Sequence, residues 1–154
     1  IAHATKLSAA RIEIAAKLDR SVSDQLAPLK MDKAKFVTRI LQLDESSWGA
    51  NGIDQVTFQV STNPGAQAGP LNKIASGGEI SRFMLALKAV LAASDAIPTI
   101  IFDEVDSGIG GAVAAAVGER LSDLAKSAQV LVVTHSPQVA SRGAHHWRVS
   151  KSGG

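Results

Sequence analysis

The chain has 154 residues, of which 45% are hydrophobic, and this is enough for one domain with an apolar core. Its 16 Lys and Arg residues against 14 Asp and Glu residues leave a net charge of +2, so overall charge indicates neither a nucleic-acid nor a membrane partner. There is no cysteine, which excludes disulfides, thiolate metal sites and cysteine nucleophiles, and no run of about 18 apolar residues predicts a membrane span.

Residues 4–29 predict one long helix, because they contain no glycine and their only proline, Pro28, stands at the end. The apolar stripe of this helix is thin and rich in alanine. It fits one strand of an antiparallel coiled coil or, equally, an amphipathic helix lying on the domain. Residues 1–40 hold eight Lys or Arg against four acids. That excess suits contact with a phosphate backbone, although a solvated helix face is the commoner explanation.

Two runs at residues 34–43 and 53–61 are rich in β-branched and aromatic residues, and they predict an antiparallel pair of strands. The turn-forming residues 63–70 then predict a loop. Apolar side chains three and four residues apart predict a helix that follows Gly78 and buries one face, formed by Ile80, Phe83, Met84, Leu87, Val90 and Leu91.

The remaining pattern predicts an α/β sheet. Residues 98–102 and 129–133 are almost wholly apolar, which is typical of parallel strands buried on both faces. Between them a crossover helix is predicted, with apolar positions at Val113, Val117, Leu121 and Leu124. Ser136 and Pro137 predict the start of a short helix, and residues 145–150 predict a last strand.

Polar side chains follow both apolar strands, at the edge where ligands bind in open α/β sheets. Asp103 and Glu104 directly follow the first strand, and adjacent residues on an extended chain point in opposite directions. One carboxylate can therefore hold Mg²⁺ while the other orients water, although solvated loop acids are the simpler alternative. His135 follows the second strand, where an imidazole can donate a hydrogen bond to a phosphate oxygen.

The run Ser-Gly-Gly-Glu at residues 76–79 stands at the start of a predicted helix. Its backbone N–H groups are unshielded by side chains and form an anion site, although Ser-Gly-Gly turns are also common helix caps. His3, His145 and His146 have no ligand-like spacing, so no zinc site is predicted.

Taken in order, these features resemble the ABC ATPase superfamily. Residues 75–79 resemble its signature motif, residues 100–104 its Walker B motif, residues 106–108 its D-loop, and His135 its switch histidine. The resemblance implies an α/β fold for residues 30–154, as the C-terminal lobe of an ABC-type P-loop ATPase head with a largely parallel sheet and flanking helices. Residues 1–29 would then be a helical end of a coiled coil.

Heads of this family sandwich ATP between two subunits, which implies ATP and Mg²⁺ as cofactors and a homodimer as the working assembly. By the same resemblance, Asp103 serves Mg²⁺, Glu104 polarises the attacking water and His135 contacts the γ-phosphate. Contacts with nucleotide or communication across the dimer are implied for Ser76, Gly77, Gly78, Glu79, Asp106, Ser107 and Gly108.

Within the superfamily, the sequence is similar to the RecN family of bacterial DNA repair proteins. Residues 105–111 read Val-Asp-Ser-Gly-Ile-Gly-Gly, unlike the D-loop of transporter ATPases, and residues 61–65, 74–82 and 134–140 support the same resemblance. It covers about residues 20–151. It implies recombinational repair of double-strand breaks, a DNA partner, no membrane partner and a cytoplasmic, nucleoid-associated location. Ala75 departs from the Leu of many ABC signatures.

The chain contains no Gly-x-x-x-x-Gly-Lys-Ser/Thr sequence and starts at Ile1 without a Met. We therefore expect the P-loop to lie in an N-terminal half of the same head. Negligible turnover and self-association through exposed apolar surface are expected of this chain alone. The alternatives are a cohesin-like, chromosome-organising SMC head, a transporter ATPase subunit, and a catalytically dead binding lobe, against which Glu104 argues.

Overall fold

The computed structural model describes residues 1–62, 65, 67–71, 77–91 and 98–150. Its helices are α1 Ala2–Leu26, α2 Gly77–Leu91, α3 Gly111–Leu124 and α4 Pro137–Ala140, with a 3₁₀ turn at Glu45–Ser47. Its strands are β1 Lys35–Gln42, β2 Asp54–Ser61, β3 Gly69–Pro70, β4 Thr99–Asp103 and β5 Gln129–Val133. None of the helices in these ranges combines the length and the apolar character that crossing a membrane requires.

Helix α1 confirms the predicted long helix, and the chain leaves it through a tight turn. The N–H of Met31 donates to the carbonyl of Leu26 at 3.1 Å, and the N–H of Lys30 donates to that of Ala27 at 3.1 Å. These two bonds form a Schellman motif, whose left-handed position usually holds glycine. Here it is Lys30, with φ at 56°, while Leu26 and Met31 are buried together beneath it.

The predicted antiparallel pair is confirmed. β1 and β2 pair from Lys35 opposite Ser61 to Gln42 opposite Asp54. β3, which lies in the predicted loop, adds a short third strand beside β2. Alternation places Phe36 and Phe58 on one face, with ring centroids 5.4 Å apart, and this face packs towards α1.

Two acidic side chains tie α1 to this hairpin. Asp54 accepts hydrogen bonds from the Ser8 hydroxyl at 2.8 Å and from Arg11 at 3.3 Å. Asp19, further along the helix, accepts from the backbone N–H of Thr38 at 2.8 Å. The helix is therefore fixed along much of its length to the domain, in addition to burying Val22 and Leu26 in the core.

β4 and β5 form a separate two-stranded parallel sheet, with Thr99 opposite Gln129 and Asp103 opposite Val133. Helix α3 makes the crossover between them, as predicted. The expectation that both faces of these strands are buried is wrong. Ile100 and Phe102 face the core, but Ile101 is 68% exposed and Val133 62% exposed, because no described helix packs on their side.

One core runs beneath α1, α2 and α3. Its most deeply buried side chains are Val22, Leu26, Leu29, Phe83, Leu85, Ala86, Val105, Ala114 and Val117. The buried face of α2 is confirmed only in part. Phe83 and Leu87 are buried as predicted, and Arg82, Leu85 and Ala86 are enclosed as well. The other predicted members of that face are only half-buried, namely Ile80, Met84, Val90 and Leu91. The predicted last strand at residues 145–150 is wrong: these residues form no strand and are all exposed, since no described strand lies beside them.

Candidate functional site

The carboxyl ends of β4 and β5 lie at one edge of the parallel sheet, and the predicted catalytic residues lie at or just beyond that edge. Asp103 is the last residue of β4 and is paired with Val133, the last residue of β5. Glu104 and His135 lie one and two residues beyond these strand ends. All three polar side chains are exposed, so each is open to a ligand that binds at this edge.

Glu104 turns the chain sharply at the end of β4. It has φ at 57°, in the left-handed region, and its carbonyl accepts a 3.0 Å hydrogen bond from the N–H of Ser107. For a residue with a side chain this conformation costs about 1–3 kcal/mol, and such strain is concentrated at functional sites. The backbone thus aims Glu104 away from the direction that a continued strand would impose.

Two glycines at the start of α2 allow the turn after β4 to come close. A Cβ atom built on Gly77 would stand 3.3 Å from Oε2 of Glu104. One built on Gly78 would stand 2.5 Å from the carbonyl oxygen of Ser107, a separation that no real side chain tolerates. Gly78 is therefore required here by packing, and the predicted signature and D-loop segments touch within this one chain.

Asp106 is the buried centre of the turn, with only 1% of its surface exposed. Its Oδ2 accepts hydrogen bonds from the Thr134 hydroxyl and, at 3.2 Å, from the N–H of Ser136. The same N–H also donates to the Thr134 hydroxyl at 3.0 Å. Since His135 lies between these two residues, Asp106 fixes the backbone of the segment that carries His135.

The predicted site residues thus form two groups, with Glu79 and Gly108 apart from both. Asp103, Glu104 and His135 share the strand-end edge, and Gly77, Gly78, Asp106 and Ser107 pack behind it. Glu79 lines a different cleft, on the side of α2 that also carries Arg82, while Gly108 is exposed. Ser76 lies outside the described residues.

Two positioning groups were not singled out from the sequence. The hydroxyl of Ser81 donates to the carbonyl of Asp103 at 3.1 Å and joins α2 to the end of β4. Thr134 binds Asp106. Hydroxyl residues near strand ends are too common to be identified without the path of the loops, although the position of Thr134 directly before His135 was a usable signal.

The fold around this site is similar to that of SMC head domains. A structure from work on ATP-driven dimerization and DNA-stimulated activation of SMC ATPases aligns at a TM-score of 0.56 with 18% identity, covering 94% of this chain and 83% of its own. The Smc head domain of Pyrococcus yayanosii, solved with a coiled coil and joint, aligns at a TM-score of 0.60 with 16% identity. This alignment covers 82% of the present chain and 23% of the Pyrococcus chain. No protein-family model matches the chain.

At the level of sequence, the chain is similar to the DNA repair protein RecN. It is 49% identical to RecN of Rickettsia bellii over 146 residues, which are 95% of this chain and 26% of that protein. It is 46% identical to RecN of Vibrio cholerae over 151 residues, which are 98% of this chain and 27% of that protein. The chain spans about a quarter of the length of these relatives, and the resemblance to RecN is confirmed.

Proposed function

We propose that this chain is the C-terminal part of the ATP-binding and ATP-hydrolysing head of a RecN-type protein that acts in recombinational repair of DNA double-strand breaks. The supporting observation is the shared edge of β4 and β5. There Asp103, Glu104 and His135 are exposed together, beside the glycines that open α2. The similarity to RecN over nearly the whole chain supports this function for that edge.

The residues at this edge suit Mg²⁺ and ATP. Carboxylate oxygens are hard ligands of the kind Mg²⁺ prefers, and Asp103 ends a strand with its side chain exposed. When bound, the metal would neutralise charge on the terminal phosphates. In this proposal Asp103 would bind the Mg²⁺ ion. Gly77 would contact the ATP that is bound to a second head.

Glu104 would orient and polarise the attacking water, and His135 would donate to the γ-phosphate. Phosphoryl transfer depends mainly on positioning and charge, so the hydrogen bonds around Asp106 matter because they keep the His135 segment in place. The partners in this proposal are the P-loop-bearing half of the same head, a second head and DNA.

A decisive experiment uses a chimera in which this chain replaces the matching segment of Vibrio cholerae RecN. Glu104→Gln is compared with Glu45→Gln, which removes an exposed carboxylate from the 3₁₀ turn. We expect Glu104→Gln to lower ATP turnover by about 100-fold or more while ATP binding persists, since a general base contributes roughly 10²–10⁴-fold. Equal turnover in the two variants would remove Glu104 from the mechanism.

The choice between repair and chromosome organisation is tested with the same chimera. The likeness to SMC heads is a likeness of fold, whereas the sequence similarity points to RecN. We expect the chimera to restore survival after double-strand breaks in a host lacking RecN, and the Glu104→Gln chimera to fail. Active ATP turnover without such rescue would favour the chromosome-organising alternative.

A further inference from the structure

A polar cleft lies where α1 ends, β1 begins and α2 starts. It has a volume of about 300 Å³, at the lower end of the range for small-ligand sites. Its lining includes the cations of Lys30, Lys33 and Arg82. It also includes the carboxylates of Asp32 and Glu79. Asp103, Glu104 and His135 do not line it, so the cleft is separate from the strand-end edge.

Arg82 is the buried group of this cleft. It is 9% exposed, yet within the described part of the chain its Nε and Nη1 find no hydrogen-bond acceptor. Burial lowers the pKa of Arg82, and the nearby Glu79 carboxylate opposes this effect. A guanidinium stays protonated in proteins, so the helix holds a buried cation with unmatched donors, which is unfavourable until an acceptor arrives.

The surrounding charges indicate an anion as that acceptor. Three cations face two carboxylates, so the lining has an excess of positive charge, and Thr62 adds a hydroxyl. Lys30 stands at the left-handed position of the Schellman motif, where glycine would fit without strain. A lysine therefore stands at the cleft although the backbone conformation of this position favours glycine.

The arrangement of the donors favours a phosphate group over a carboxylate. The cations come from two separate parts of the chain. Lys30 lies in the turn after α1 and Lys33 just beyond it, whereas Arg82 projects from α2. A tetrahedral anion offers acceptor oxygens in several directions, whereas a carboxylate offers two in one plane. We propose that this cleft binds a phosphate group, with Arg82 as its buried anchor and Lys30 and Lys33 at its entrance.

The proposal is tested on the 154-residue chain by titrating inorganic phosphate at constant ionic strength and following the Nε–H signal of Arg82 by NMR. We expect this signal to move saturably, while that of Arg39, an exposed arginine of β1, does not. Phosphate affinity is also measured by isothermal titration calorimetry. Arg82→Met should weaken it roughly tenfold or more, because hydrogen bonds to charged groups are the strong ones, and Arg39→Met should not. An unmoved Arg82 signal would overturn the proposal.

Lys30→Gln with Lys33→Gln keeps the question answerable if Arg82→Met does not fold. Both lysines are exposed, so the double variant should fold and bind phosphate more weakly. An unchanged affinity for phosphate would contradict the proposed role of the two lysines at the entrance. ATP without Mg²⁺ and a short DNA duplex are then titrated separately. The one that saturates the Arg82 signal at the lower concentration identifies the source of the phosphate, and saturation by neither would count against the site.

Discussion

Lys30 shows how one residue can carry a conformation that its type disfavours. Its φ of 56° lies where a side chain costs about 1–3 kcal/mol and glycine costs little. We therefore expect Lys30→Gly to raise the free energy of unfolding by about 1 kcal/mol, seen in urea as a higher midpoint with an unchanged slope. Lys33→Gly, at an exposed neighbour without positive φ, is the control and should not stabilise.

Gly78 shows the opposite case, in which any side chain is too large. A methyl group there would stand 2.5 Å from the Ser107 carbonyl, so Gly78→Ala must displace either α2 or the turn after β4. We expect a loss of about 1–3 kcal/mol of stability in urea unfolding, in the range of overpacked sites. In Gly49→Ala the added methyl group meets no atom of the described residues within 4 Å, so stability should change by less than about 0.5 kcal/mol. Similar losses in both variants would contradict the close contact.

The places of some of these residues could be predicted from the sequence, whereas those of others could not, for physical reasons. The positions of Asp103, Glu104 and His135 followed from two apolar strands, because strand ends can be read from composition alone. The burial of Asp106 and the contact of Gly78 with Ser107 depend on the path of a turn. Arg82 was missed because periodicity assigns a charged side chain to solvent.

At the scale of elements, α1 owes its placement partly to one buried carboxylate. Asp54 accepts from Ser8 and Arg11, which lie on the outer half of the helix, beyond the apolar core contacts of Val22 and Leu26. No residue of α1 before Ala15 is buried, so this part of the helix depends more on polar bonds, such as those to Asp54, than on buried apolar contacts. The helix itself was predictable from its sequence, but the partner that holds it was not, because Asp54 is 43 residues from Arg11.

Asp54→Asn is expected to release this end of α1. The change weakens the bond to Arg11 and should lower stability by about 1–3 kcal/mol, with faster amide hydrogen exchange concentrated in residues 5–14. Glu13→Gln is the matched control, because the Glu13 pair with Lys17 is exposed and screened by solvent. Amide exchange that rises equally throughout the chain would instead mean that Asp54 stabilises the whole domain rather than this end of α1.

At the scale of the molecule, the parallel sheet has one covered and one bare face. Paired residues of parallel strands point to the same side, so Ile101, Leu131 and Val133 form one surface, and the first and last of these are largely exposed. The sequence predicted buried strands because apolar runs of this kind are typical of doubly covered sheets. What covers a sheet depends on other elements, and no helix among the described residues packs on this side.

Because exposed apolar surface favours association, we expect the 154-residue chain to self-associate through this face. Light scattering should show a molar mass that rises above 16.0 kDa with concentration. Ile101→Thr with Val133→Thr keeps β-branched side chains in the strands while removing apolar contact, and should restore the monomer. Leu41→Thr changes a 43% exposed leucine on the antiparallel sheet and should leave association intact. A parent chain that is monomeric at every concentration would contradict the prediction, and equal effects of both changes would place the contact elsewhere.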